Sequence, residues 1–139
     1  MQTIFQIHTT GSGLYEFTAD VVAFVGEQNM EGGLLTLFVQ HTSCSLLISE
    51  NADPDVKADM DEFFARLVPD GHHKDMAWLR HTCEEPDDMP AHIKAALTPV
   101  SLSIPIVNGC LGLGTWQGIY LFEHRIVAHD RRIIGHISR

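Results

Sequence analysis

The strongest hydrophobic pattern along the chain lies between Asp53 and Leu67. Val56, Met60, Phe63, Phe64 and Leu67 recur at helical spacing and form one apolar face. Asp53 followed by Pro54 suits a helix start, because aspartate accepts from free amides there and proline fits the first turn. Asp55, Asp59 and Asp61 lie early in this helix, where its dipole favours acids, and Pro69-Asp70-Gly71 ends it. Two more helices are predicted: Ala19–Gln28, capped by Thr18, and a short one over Pro90–Leu97. Apolar runs rich in β-branched residues predict strands over Thr3–Thr10, Leu34–Gln40, Ser45–Ser49, Ser101–Val107, Gly118–His124 and Ile126–Ile137. Ser45–Ser49 is expected to lie beside Leu34–Gln40. Residues 70–88 read as a long polar loop, which inside a compact domain points to function or disorder. Helices and strands do not alternate strictly. The pattern therefore predicts a single α+β domain over 1–139, mostly antiparallel sheet or sandwich packed with a few helices.

Composition narrows the function classes. The 139 residues are 45% hydrophobic and 19% charged, as in a globular domain of this length. No apolar run approaches the roughly 18 residues of a membrane span, and Met1–His8 is too short and polar for a signal peptide. A net charge of −9 argues against nucleic acid and anionic membranes as partners. Three cysteines without paired spacing suggest a reduced, cytoplasmic chain. The charge is uneven, however. Residues 1–122 carry five basic against sixteen acidic side chains, whereas 123–139 carry four arginines against two acids. An arginine cluster of that kind either receives a phosphate or carboxylate or protects an edge strand.

Nine histidines raise the question of metal or acid–base chemistry. No H-E-x-x-H or C-x-x-C is present, so a metal site would have to be assembled from distant segments. The best components are His41 at a strand end, His81 in the long loop and His92 on the short helix. Taken singly, each is more simply a structural histidine. Cys44, three residues after His41, is a candidate nucleophile only if the chain kinks to bring the two side chains together; otherwise it packs in the core. Gly109-x-x-Gly112-x-Gly114 has glycines enough for a phosphate cradle but leads into a strand, without a helix dipole behind it.

In combination these blocks become recognisable. His41-Thr42-Ser43, Glu50-Asn51-x-Asp53-Pro54, Asp87-Asp88-Met89-Pro90-Ala91-His92-Ile93-Lys94, Leu102-x-Ile104-Pro105, Gly114-Thr115-Trp116-Gln117-Gly118, Glu123-His124-Arg125 and Arg131-Arg132 follow one another. In this order they resemble the YjbQ-like family, named for secondary thiamine-phosphate synthase activity. The resemblance implies a homotrimeric α+β fold in which His41, His81 and His92 gather around a metal-sized site, with acidic or polar neighbours at Glu50 and Asp88. It also implies a reaction that joins an aminopyrimidine-methyl diphosphate to a thiazole phosphate and releases pyrophosphate. In that scheme Glu123 serves as acid/base or supports the ligands, and Arg131 neutralises substrate charge. Lys94, Arg132 and Asn51 are expected on the substrate side, with Lys94 and Arg132 holding phosphate oxygens. Histidine ligands describe a zinc-like divalent metal, while a diphosphate substrate would admit magnesium. Two other classes remain open: a non-catalytic metal- or anion-binding protein, and a metal-dependent hydrolase.

Overall fold

The computed structural model describes residues 1–139. In chain order its elements begin β1 (Gln2–His8), β2 (Gly13–Glu16), α1 (Thr18–Gly26), β3 (Gly32–Val39), β4 (Cys44–Glu50) and α2 (Pro54–Leu67). A single 3₁₀ turn over Lys74–Met76 follows, then α3 (Asp88–Leu97), β5 (Ser101–Val107), β6 (Cys110–Leu111), β7 (Gln117–Glu123) and β8 (Asp130–Ser138). The strands form two sheets, ordered β1-β8-β3-β5-β6 and β2-β7-β4, and every pairing is antiparallel. The α+β architecture expected from the pattern is the one observed.

Side-chain alternation explains how the sheets meet. β8 turns Arg131, Ile133, Gly135 and Ile137 inward, β3 turns Leu35, Leu37 and Val39, and β5 turns Ile104 and Ile106. These apolar side chains share one core with Cys44 and Leu46 of β4, Ile119 and Leu121 of β7, and Val21 and Val25 of α1. β7 is different: Gly118 through Glu123 are all buried. Its second face packs Tyr120 and Phe122 against Leu14, with Met60 and Phe64 of α2 laid over them. Burial on both faces is why Ile119-Tyr120-Leu121-Phe122 is apolar without alternation. At its start Gly118 has no room for a side chain. A Cβ there would lie 2.8 Å from Glu16 Oε2, 2.9 Å from Asn51 Cβ and 3.0 Å from Tyr120 Cε2.

Several expectations change at the element level. β4 pairs with β7 in the smaller sheet, so it is not the neighbour of β3. β2 is an added four-residue strand, too short to carry a pattern of its own. Ile126 through His129 form a turn, and β8 begins only at Asp130. Thr18 does not cap α1; its hydroxyl donates to Glu16 and accepts the Ile119 amide. α2 starts as expected, with Asp53 accepting from the Asp55 amide at 2.9 Å, but none of its residues is fully buried. Residues 70–88 are an ordered loop: the Gly71 amide donates to the Pro86 carbonyl at 2.7 Å, and Met76 is buried.

Candidate metal centre

α3 begins at Asp88, two residues before the helix expected from the sequence. That shift puts Asp88 and His92 one turn apart on the same face, with the aspartate in the first turn where the dipole favours it. The ordered loop returns His81 to the same place. His81 Nε2 donates to Asp88 Oδ2 at 2.8 Å, and His92 Nε2 lies 3.2 Å from the same oxygen. One ligating atom from each of His81, Asp88 and His92 falls within 4.8 Å of the other two. Asp88 is buried, His92 is partly buried, and His81 faces solvent.

Two of these three side chains are held from behind, His92 by a carbonyl and Asp88 by a guanidinium. His92 Nδ1 lies 2.8 Å from the Thr42 carbonyl, which can only accept, so Nδ1 carries the proton. The Nε2 lone pair then faces a carboxylate oxygen, and only a second proton or a cation makes that approach favourable. An imidazole anchored through its far nitrogen to a carbonyl is the usual orientation of a metal-binding histidine. Arg125 completes the support. Its Nη1 donates to Asp88 Oδ1 at 2.8 Å, leaving Oδ2 to the histidines, while its Nε donates to Asp87 Oδ2 at 2.9 Å. Nη2 reaches Glu85 at 3.1 Å, so one guanidinium ties the loop to the helix start. Burial would raise the Asp88 carboxyl. The hydrogen bond from His81 and the charges of His92 and Arg125 outweigh it and hold Asp88 below the usual carboxylate range. The donor set fits a divalent ion that accepts nitrogen and oxygen, with room for exchangeable ligands.

The remaining candidates lie elsewhere. His41 sits against the arginines: its Nε2 accepts the Arg132 amide at 2.9 Å, and its Nδ1 is 3.5 Å from Arg131 Nη1. Partial burial and then the Arg131 charge push its pKa down. Glu123 is fully buried and accepts from Arg131 Nε at 2.7 Å, Arg131 Nη2, Thr9 Oγ1 and the Arg125 amide. Burial would raise its carboxyl, and the Arg131 guanidinium leads the groups that hold it down instead. Arg131 is 4% exposed and also donates to Ser43 Oγ at 2.9 Å. In this conformation the Glu123–Arg131 pair is an internal tie, without a free face for a substrate. Cys44 is buried in the main core, and burial pushes its thiol up to about 12, so it packs as a neutral side chain rather than reacting as a thiolate. Arg132 and Asn51 are exposed, and the Asn51 amide donates to the Trp116 carbonyl at the end of β4. Arg125 was not among the expected site residues, and Asp88 was expected as an acidic neighbour of the histidines rather than as a ligand. The Asp88-x-x-x-His92 spacing could have pointed to the aspartate once the helix was begun two residues earlier.

The profile of the family described as "UPF0047 protein YjbQ-like" matches residues 3–139. This chain belongs to the YjbQ-like UPF0047 family. A UPF0047 protein of Synechocystis is 52% identical over 137 residues, covering 99% of this chain and 90% of the relative. The UPF0047 protein YjbQ of Salmonella typhimurium is 50% identical over 106 residues, or 76% of this chain and 73% of that one. A crystal structure of a conserved hypothetical protein from Thermus thermophilus superposes with a TM-score of 0.83 at 32% identity, over 98% of this chain and 99% of that one. These names carry no reaction. The chemistry of this YjbQ-like protein is therefore argued from its side chains.

Proposed function

We propose that this protein is a divalent-metal-dependent enzyme acting on a phosphorylated small molecule, with His81, Asp88 and His92 as ligands. The observation that carries the reading is the convergence of His81 Nε2 and His92 Nε2 on the Asp88 oxygen that Arg125 leaves free. A bound zinc-like ion would supply Lewis acidity toward a phosphate or diphosphate oxygen. Arg125 would fix the carboxylate, and Thr42 would fix the His92 tautomer. The reaction implied by the family resemblance, thiamine-phosphate synthesis from an aminopyrimidine-methyl diphosphate and a thiazole phosphate, is one such chemistry. His41 belongs to the same proposal as a further ligand only if it leaves the Arg132 amide. The homotrimer and the cytoplasmic setting are likewise part of this proposal.

A second reading is metal-dependent hydrolysis. Two histidines and one carboxylate are a ligand set that leaves an open position for water on zinc. Elemental analysis of wild type and His92→Ala, with turnover over a panel of phosphate esters, tests both readings. Wild type is expected to hold zinc or a similar ion and to lose turnover with chelator. The variant is expected to lose the metal while light scattering shows an unchanged trimer. Full metal occupancy and turnover in His92→Ala would falsify the site. Metal binding without turnover of any ester would favour the non-catalytic protein.

A further inference from the structure

A cavity of about 540 Å³ lies on the other side of the α3 N-terminus from the histidine–aspartate group. The C-terminal end of α2, the start of the long loop, α3 and the end of β7 line it, and its polar side chains include Lys94 and His124. Its size suits a small molecule.

Lys94 is the exception among the sheltered cations. Arg131 is paired with Glu123, and Arg125 holds Glu85, Asp87 and Asp88. The partly buried Lys94 ammonium has no hydrogen bond and no carboxylate within ion-pair distance; Asp61 and Asp87 act on it only at longer range. Asp87 Oδ2 is already occupied by Arg125 Nε and the Ile126 amide, each at 2.9 Å. Asp70, at the rim, accepts the His72 amide. Withdrawing an ammonium from water without a counter-ion is costly, and an anion from outside would offset that cost.

His124 supplies the second contact. It is 2% exposed, and its Nε2 lies 2.9 Å from Ser45 Oγ, which is 2.6 Å from Thr98 Oγ1. The Thr98 hydroxyl also lies 2.8 Å from the Lys94 carbonyl, which can only accept, so its proton goes there. Ser45 then donates to Thr98 Oγ1, His124 donates from Nε2 to Ser45 Oγ, and Nδ1 keeps its lone pair. Nδ1 has no protein partner. Asp87 Oδ1 is the sole fully buried side-chain polar atom without one, so Nδ1 keeps access to open space, and the cavity is the space His124 lines.

We infer that this cavity is an oxyanion site in which the Lys94 ammonium holds the phosphate or carboxylate of a small molecule whose own hydroxyl donates to the His124 Nδ1 lone pair. The inference deepens the reading above by placing the anionic group of its substrate. It rests on that reading only for the ligand's identity, since the cavity needs no metal.

The chain has three lysines, Lys57, Lys74 and Lys94, so lysine-labelled protein gives resolvable side-chain NMR signals. EDTA-treated protein is titrated with inorganic phosphate and, separately, with acetate. The Lys94 signal is expected to move saturably while that of the exposed Lys57 stays still. Lys94→Met is expected to weaken binding about tenfold or more, as for loss of a charge-assisted bond. Tighter phosphate than acetate binding supports a phosphate ligand, and the reverse order supports a carboxylate; either keeps the site. A Lys94 signal unmoved by both anions overturns it, as does unchanged affinity in Lys94→Met or, should that variant not fold, in Lys94→Gln. Because metal is absent from this titration, saturable phosphate binding by a protein that takes up no zinc would remove the metal reading and leave this site standing.

Discussion

At the scale of single residues, two buried groups at the end of β7 both make the stability fall with acidity, one because it must stay neutral and the other because it must stay ionised. His124 is neutral in the folded chain, its pKa lowered to about 3 by burial and then by Lys94, against an ordinary value of 6.5. The unfolded chain therefore binds a proton that the folded chain refuses. Stability from this source is complete above pH 6.5 and falls as pH drops toward 3. Glu123 is held ionised below its ordinary value of 4.5, so its contribution is complete above that value and falls as pH drops through its folded pKa. Denaturant melts across pH should show a slope between 6.5 and 4.5 that flattens in His124→Gln; an unaltered slope would assign it to other histidines, such as His41. Glu123→Gln should lose about 3–5 kcal/mol at neutral pH, because Arg131 is left buried without its carboxylate. A loss under 1 kcal/mol would mean that solvent reaches the guanidinium.

Among the elements, the loop over residues 70–88 and α3 act as one unit through Arg125. Replacing Arg125 with Ala should weaken metal binding about 10–100-fold, the usual cost of losing a group that orients a ligand. It should also open the loop to proteolysis. Lysine should not restore either property, because a single ammonium cannot span Glu85, Asp87 and Asp88 together. Metal affinity and protease resistance equal to wild type in Arg125→Ala would show that the loop is held by its other contacts. This unit was only partly legible. Asp53-Pro54 marked the start of α2 because cap and proline signals are local, and the helix begins there. The start of α3 lies two residues before the one expected, because Pro90 gives the same signal inside the helix, and this concealed that Asp88 and His92 share a face one turn apart. Arg125 stood out only as part of the Glu123-His124-Arg125 block and the arginine-rich end, with nothing to tie it to the loop or to α3. Its partners are 37 to 40 residues away in sequence, and only the folded turn after β7 brings them within reach.

For the molecule as a whole, the fold class was legible because strand alternation in β3, β5 and β8 reports one covered face. Sheet membership was not. β4 carries the same kind of apolar run whether it joins β3 or β7, since Leu46 meets the side chains of both strands in one core while its backbone pairs with β7 alone. The unbroken burial of β7 has a consequence for how the chain finds its alignment. In a strand with one wet face, sliding by a single position moves apolar side chains into water, and the error corrects itself. β7 lacks that safeguard, since Ile119 through Phe122 suit either face. Fidelity must come from its two ends: the charge of Glu123, which has to meet Arg131, and the bare backbone of Gly118, where any larger residue collides with Asn51 and Tyr120. Gly118→Ala is expected to slow refolding and to raise the share of misaligned, aggregating chains more than its equilibrium cost would suggest. Refolding at the wild-type rate and yield would place the alignment signal elsewhere in the sheet.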